Sequence, residues 1–504
     1  MKELSHEHRI KKGNQLDISV LSSLRLCLLG SVFLSGCSSL DYSRLDGGLN
    51  PSDTPVTVDA IEQNNQIKQL GAQEHLHILA TYGGVYHDTG VERMVARIVG
   101  KLKSVSENPD QTYHITILDT SNINAFALPG GYIYITRGLL ALANDSAEIA
   151  AVIAHEMAHI TINHGILRQQ KEAEFGLANQ VATKILRDRP TGKDSMIHRK
   201  FSLAQFFRNQ ELQADEIGIK MITEAGYDAF ASPRFLQTME AYARFKHASD
   251  ATVFRFDFLA THPATSQRIQ LAIAQARKIS ASVFGAIDRT FFLKGINGMI
   301  FGNNAAKGYI RGNNFIHPEL GIMFSVPADF IMDNFAATII ASGPNDLAIR
   351  FDSVLVQKET LPVQYMKSGW VSGLDITSIQ PLVVNGLSGA SARVENDKWQ
   401  FDIVVFVIKD RAYRFLTAAP RNAKNFLAIS QETTKSFRML SAREKASFRP
   451  LRIHVIPVKS DETVPSLAER MQGTDKKIEL FRIINGLTLT TVLSAGNWVK
   501  IISE

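Results

Sequence analysis

Near residue 291 the hydrophobic spacing of this chain changes from a period close to 3.6 to a period of two, so no single fold class covers its length. Before that point apolar residues return with helical spacing in 61–82, 91–103, 203–225, 233–246 and 263–279. Asp145 with Glu148 three residues later is a capping-box pattern, and it opens a further helix expected to run to about residue 167. Short strands are expected at 112–118 and 132–136, with Pro129, Gly130 and Gly131 as the turn before the second. Beyond residue 291, the stretches 321–327, 337–341, 347–356, 381–384, 400–408 and 413–418 alternate or run apolar. Asn385-Gly386 and Lys409-Asp410-Arg411 supply turns between them, and a helix at 422–437 closes the stretch. The expected class is α+β in several domains: a mainly helical domain at 59–290 with a small sheet, a β-rich α+β domain at 291–445, and a small unit at 446–504.

Composition narrows the functional classes. With 45% hydrophobic residues over 504 positions the chain buries ordinary cores, and two cysteines exclude a disulfide-stapled scaffold. The formal charge is only +6, and no Lys/Arg block is dense enough to track a phosphate backbone, so nucleic acid is not an expected partner.

The N-terminus places the chain in a compartment. Lys2, Arg9, Lys11, Lys12 and Arg25 precede an uncharged apolar run at 26–36, too short to span a bilayer, and the run ends in Leu34-Ser35-Gly36-Cys37. The tetrapeptide resembles the bacterial lipobox, which implies a signal peptide at 1–36 and a lipid on Cys37 as the mature first residue. Ser38 after the cysteine favours, by the same resemblance, the periplasmic face of the outer membrane. Residues 37–58, rich in Ser, Asp, Gly, Asn and Pro, read as a flexible tether. Loss of 1–36 removes five basic and three acidic residues and leaves +4; it also removes Cys27, so with Cys37 acylated no free thiol remains for nucleophilic or thiolate-metal chemistry.

The chemistry is carried by His155-Glu156-Met157-Ala158-His159. Four-residue spacing on a helix puts both imidazoles on one face, where two nitrogens can reach one Zn²⁺, and Glu156 lies beside them as a base for water. A third ligand must come from elsewhere. His164 sits nine residues after His155, about 180° around a continuous helix, and reads as a structural or surface residue. The stronger candidate is Glu211, with Asp215 one turn later able to hold the free ring nitrogen of a ligand histidine. The alternative for this pair is a solvated acidic helix face.

These strings occur in a fixed order over about 65–275: Asn124 to Gly131, the His155 to His159 motif, Arg208 to Asp215, Gly226-Tyr227-Asp228, and Thr261-His262-Pro263 with Arg268-Ile269. Together they resemble metallopeptidase family 48, in its periplasm-facing, HtpX- and BepA-like gluzincin branch. The resemblance implies zinc on His155, His159 and Glu211, with Glu156 as general base and proton donor to the leaving amine. It implies that Asn124, Ala125 and Phe126 form an edge strand that pairs with an extended substrate; the alternative is a buried hairpin strand. It places His262 near the metal, either as a latch on the open coordination position or as a stabiliser of the oxyanion.

The unit at 446–504 resembles a divergent LysM module, a βααβ fold that binds peptidoglycan sugars, although Asp461-Glu462 stands where Gly-Asp is usual. The alternative is a packing module for the peptidase or its partners. The expected function is therefore a lipid-anchored zinc endopeptidase acting on misfolded or misassembled envelope proteins. The rival from another class is a zinc-stabilised envelope chaperone or assembly scaffold that cuts rarely.

Overall fold

The computed structural model describes residues 71–168, 170–171, 192–247, 262, 266–280, 285–335, 338–371 and 374–504. The expected signal peptide, Cys37 and the tether lie outside these residues. The described part is mixed α+β, helical toward its N-terminal side and β-rich beyond. None of its helices is long and apolar enough to cross a membrane.

The first elements are helix α1 over residues 71–82 and helix α2, Thr89–Ser104. Asp88 caps α2 by accepting from the backbone N–H groups of Gly90 and Val91. A three-stranded sheet follows: β1 (His114–Leu118), β2 (Ala125–Leu128) and β3 (Tyr132–Thr136), in the order β1-β3-β2. β1 runs parallel to β3, and β2 pairs antiparallel with β3 through Ala125↔Ile135 and Leu128↔Tyr132. The connecting turn needs Gly130 and Gly131, both at φ near +90°. β2 is thus an outer strand of the sheet.

Helix α3, Arg137–Leu142, leads into helix α4, Ser146–Thr161, which carries the His-Glu-x-x-His string. Asp145 caps α4 by accepting from the Glu148 N–H, and the Glu148 carboxylate reaches back to the Asn144 N–H. Every residue of α4 from Ser146 to His159 is buried, which is the pattern of a helix at the centre of a domain and not of one lying on its surface.

Helix α5, Gly192–Glu224, begins earlier than the sequence pattern indicates and crosses α4. Gly226 at φ +81° ends its run, with the Tyr227 N–H returning to the Ile222 carbonyl. Helices α6 (Ala231–His247), α7 (Ser266–Ile279) and α8 (Arg289–Ile296) complete the helical part.

Beyond it a seven-stranded antiparallel sheet and a four-stranded sheet enclose a phenylalanine-rich core that includes Phe315, Phe324, Phe351, Phe415 and Phe437. Asn385 and Gly386, both at positive φ, join two strands of the larger sheet as the Asn-Gly hairpin requires. The strand Leu387–Glu395 after that turn has no counterpart in the sequence reading. Its Ala390 and Ala392 are poor strand formers, but their small side chains let the helix Pro362–Lys367 sit against the sheet through Met366.

The last segment runs strand, helix, helix, strand: Leu451–Pro457, Val464–Ala468, Lys477–Asn485 and Trp498–Ser503. Leu451–Pro457 pairs with Trp498–Ser503 and also with the two-residue strand Ile300–Phe301 that directly follows the helical part. Leu451, Ile453, Phe481, Ile501 and Ile502 belong to the same buried cluster as Val91, Ile149, Ile222 and Phe292.

Candidate metal centre

The metal-ligand atoms of His155, His159, Glu211 and His262 all lie within 4.8 Å of one another, and all four residues are buried. α4 supplies the two histidines from one face, and the crossing helix α5 brings Glu211 opposite them. The approach is close because Gly218, two turns beyond Glu211 on the same face, meets the His155 backbone: a Cβ there would stand 3.2 Å from the His155 nitrogen.

His155 Nε2 lies 3.1 Å from His159 Nε2 and 3.3 Å from both His262 Nδ1 and Glu211 Oε2. His159 Nε2 is 3.5 Å from Glu211 Oε1, and His262 Nδ1 is 2.7 Å from Glu211 Oε2. Donors held about 2.0–2.1 Å from a tetrahedral zinc are separated by roughly 3.3 Å, so these spacings fit that ion.

The chemistry of the set agrees. Asp215 Oδ1 stands 3.0 Å from His155 Nδ1, and His164 Nδ1 stands 2.8 Å from His159 Nδ1, so the far ring nitrogens are already engaged and the Nε2 atoms face the centre. Two inward imidazole nitrogens beside a carboxylate attract a cation. The same field acts on the protons. Burial pushes the His155 pKa down, but hydrogen bonds with Asp215 and Glu211 outweigh burial and raise it to about 9. Burial and the neighbouring His155 charge push the pKa of His159 down instead. Burial opposes ionisation of Glu211, yet His262 and His155 hold its carboxyl well below the usual carboxylate range.

Around this set stands a second layer. Arg268 forks onto Asp215, with Nε 2.5 Å from Oδ2 and Nη2 2.8 Å from Oδ1, and its Nη1 lies 3.3 Å from Glu211 Oε2. Burial works against the Asp215 anion, but the Arg268 charge and its hydrogen bonds more than compensate and lower the Asp215 pKa. Arg168 Nη2 donates to Glu211 Oε1 at 2.7 Å while its Nε donates to Gln210.

Glu156 is 1% exposed, and its Oε1 has no hydrogen-bond partner among the described residues. A buried carboxylate oxygen left unpartnered is costly and marks a place kept for another polar group. His262 Nε2 is 3.7 Å from that oxygen.

Asn124 and Ala125 are buried, and Phe126 is half-buried between Tyr82 and Tyr134 at ring distances of 5.3 and 4.9 Å. The Asn124 amide donates to the Tyr82 hydroxyl at 3.2 Å, and its Oδ1 is buried with no hydrogen-bond partner among the described residues.

The structure corrects one expectation. His164 is neither on the surface nor turned away, but 1% exposed and in contact with His159. The helix does not continue past Thr161; Asn163 at φ +56° resets its phase and turns His164 back toward the site. Asparagine soon after an apolar helix is the sequence signal for such a turn. Arg168 and Gln213 carry no signal of their own, because their roles depend on that turn.

Residues 88–275 match the family model described as Peptidase family M48. The chain is similar to the mitochondrial metalloendopeptidase OMA1 of Schizosaccharomyces pombe, 26% identical over 208 residues, which cover 40% of this chain and 59% of that protein. It is 25% identical over 213 residues to the putative beta-barrel assembly-enhancing protease of Vibrio cholerae, covering 40% of this chain and 43% of that one. With the mitochondrial metalloendopeptidase OMA1 of Arabidopsis thaliana it shares 30% identity over 165 residues, 33% of this chain and 32% of the relative. The chain thus spans from 32% to 59% of the length of these relatives. The helical part that holds the His155, His159, Glu211 and His262 cluster is accordingly a peptidase family M48 domain.

Proposed function

We propose that this chain is a zinc-dependent endopeptidase of the bacterial envelope. His155, His159 and Glu211 hold the metal, and Asp215 and Arg268 keep His155 turned toward it. The observation that carries this reading is the convergence of donor atoms from four buried residues within 4.8 Å beside a carboxylate oxygen, Glu156 Oε1, that has no hydrogen-bond partner among the described residues. Zinc supplies Lewis-acid polarisation of the scissile carbonyl and acidifies water.

Glu156 takes a proton from the attacking water as its oxygen bonds to the carbonyl carbon. It returns that proton to the amide nitrogen as the carbon–nitrogen bond breaks. No covalent link to the protein forms. The outer strand β2 gives an extended peptide a backbone ladder beside α4, with Asn124, Ala125 and Phe126 at its start.

The cellular setting is proposed on sequence alone: a lipid at Cys37 anchors the chain to the periplasmic face of the outer membrane, and the substrates are misfolded or misassembled envelope proteins. The strand–helix–helix–strand order of 451–503 supports a LysM-like module that binds peptidoglycan. One observation favours a second reading, a scaffold or chaperone that cuts rarely: His262 fills the fourth position of the donor set.

Metal analysis and casein digestion on residues 38–504 test the proposal. The expected result is one zinc per chain, with Glu156→Gln retaining the metal and losing about 10²–10⁴-fold in hydrolysis. A wild-type protein without zinc sinks the mechanism, and a Glu156→Gln variant that keeps full cellular function favours the scaffold.

A further inference from the structure

We propose that His164 and Arg168, delivered by the left-handed turn at Asn163, are positioning residues that set how tightly the site binds its metal. The inference rests on the zinc reading above and adds residues to it.

The His155 side of the site is braced by Asp215, 3.0 Å from His155 Nδ1. Among the described residues, His159 has a histidine and not a carboxylate in that place. Its Nδ1 faces His164 Nδ1 at 2.8 Å, and His164 Nε2 lies 3.3 Å from Gln213 Oε1. A carboxamide oxygen only accepts, so the hydrogen of His164 sits on Nε2 and its Nδ1 presents a lone pair. His159 therefore donates from Nδ1, and its own lone pair is fixed on Nε2, the atom 3.1 Å from His155 Nε2 in the donor cluster. The relay Gln213–His164–His159 selects one tautomer of the ligand without contributing a ligand itself.

Arg168 completes the brace on the third donor. Its Nη2 donates to Glu211 Oε1 and its Nε to Gln210 Oε1, both at 2.7 Å, so the guanidinium holds the carboxylate oxygen other than the one Arg268 approaches. His164 and Arg168 both lie in the helical turn that restarts after Asn163, where the Leu167 N–H donates to the Asn163 carbonyl. One backbone conformation, Asn163 at φ +56°, thus delivers both braces.

The test measures zinc affinity by chelator competition on residues 38–504, together with the visible spectrum of the cobalt-loaded protein. His164→Ala is expected to weaken zinc binding about 10–100-fold, the usual cost of losing an outer partner of a ligand. His164→Asn, whose Oδ1 takes the place of Nδ1 as acceptor, restores most of the affinity and the wild-type cobalt spectrum; a role in packing alone predicts no such rescue. Asn163→Gly keeps the affinity because glycine accepts the left-handed turn, whereas Asn163→Val loses it as His164→Ala does. Zinc affinity unchanged in His164→Ala, with a wild type that does bind zinc, overturns this inference alone. A wild type that takes up no zinc overturns the metal reading and this inference with it.

Discussion

His262 faces both halves of the proposed chemistry: its Nδ1 lies 2.7 Å from Glu211 Oε2 and its Nε2 3.7 Å from Glu156 Oε1. A nitrogen inside the donor cluster competes for the position that substrate and water need, and it sits beside the base that would activate that water. Removing it frees both. His262→Ala is therefore expected to raise basal casein hydrolysis at unchanged protein stability, and a fall in turnover of tenfold or more instead assigns His262 to the oxyanion. At this scale the site was legible wherever helical periodicity alone places a side chain. His155 and His159 share a face by their spacing, and so do Glu211 and Asp215. It was not legible where the phase is broken. Periodicity turns His164 half a turn away, and one positive φ at Asn163 turns it back. Arg268 lies 53 residues from the carboxylate it holds, so only the packing of α7 against α5 brings the pair together.

The crossing of α4 and α5 decides whether ligands on two helices meet at one point. Its gauge is Gly218, where a Cβ would lie 3.2 Å from the His155 nitrogen and 3.4 Å from its Cα. Glycine costs a helix interior about 1 kcal/mol relative to alanine, and here that cost is met by a close approach of backbones. Gly218→Ala regains propensity but must push α5 outward by a few tenths of an ångström. Its thermal stability is expected to stay near wild type while its zinc affinity falls. Gly218→Val, with two more methyl groups at the contact, should lose roughly 1–3 kcal/mol and more affinity. Thermal unfolding of the chelated protein and chelator competition check the two terms separately, and a valine variant with wild-type affinity removes Gly218 from the site's geometry. The period of two beyond residue 291 likewise made most strands of the large sheet readable. Leu387–Glu395 escaped because a strand chosen for small side chains under a helix carries no alternation of large apolar residues.

At the scale of the molecule, the strand Trp498–Ser503 returns to the end of α3, just before the helix that carries His155 and His159. Lys500 on that strand is fully buried, and its Nζ donates to the carbonyls of Ala143, Ala141 and Leu142 at 2.6, 3.0 and 3.4 Å. These are the last carbonyls of α3, which the helix itself leaves unsatisfied, two residues before the Asp145 cap of α4. Arg289 ties the same corner together by donating to the Asn144 carbonyl at 2.7 Å and to the Trp498 carbonyl at 3.4 Å. No local pattern announces this bond, because the acceptors are main-chain oxygens more than 350 residues away. Burial holds the Lys500 pKa well below the ordinary lysine value, so its place in the core rests on those acceptors and on the nearby Glu148 and Asp145 charges. Lys500→Met fills the space but strands the carbonyls, and is expected to cost about 2–4 kcal/mol. The loss should appear in the same calorimetric transition that unfolds the peptidase core, since residues of 451–502 share that core. Casein hydrolysis should fall with it, through the start of α4. If calorimetry of the variant instead resolves an early transition for the C-terminal segment alone, with the peptidase transition and turnover unmoved, the segment is an appendage and not part of the enzyme's frame.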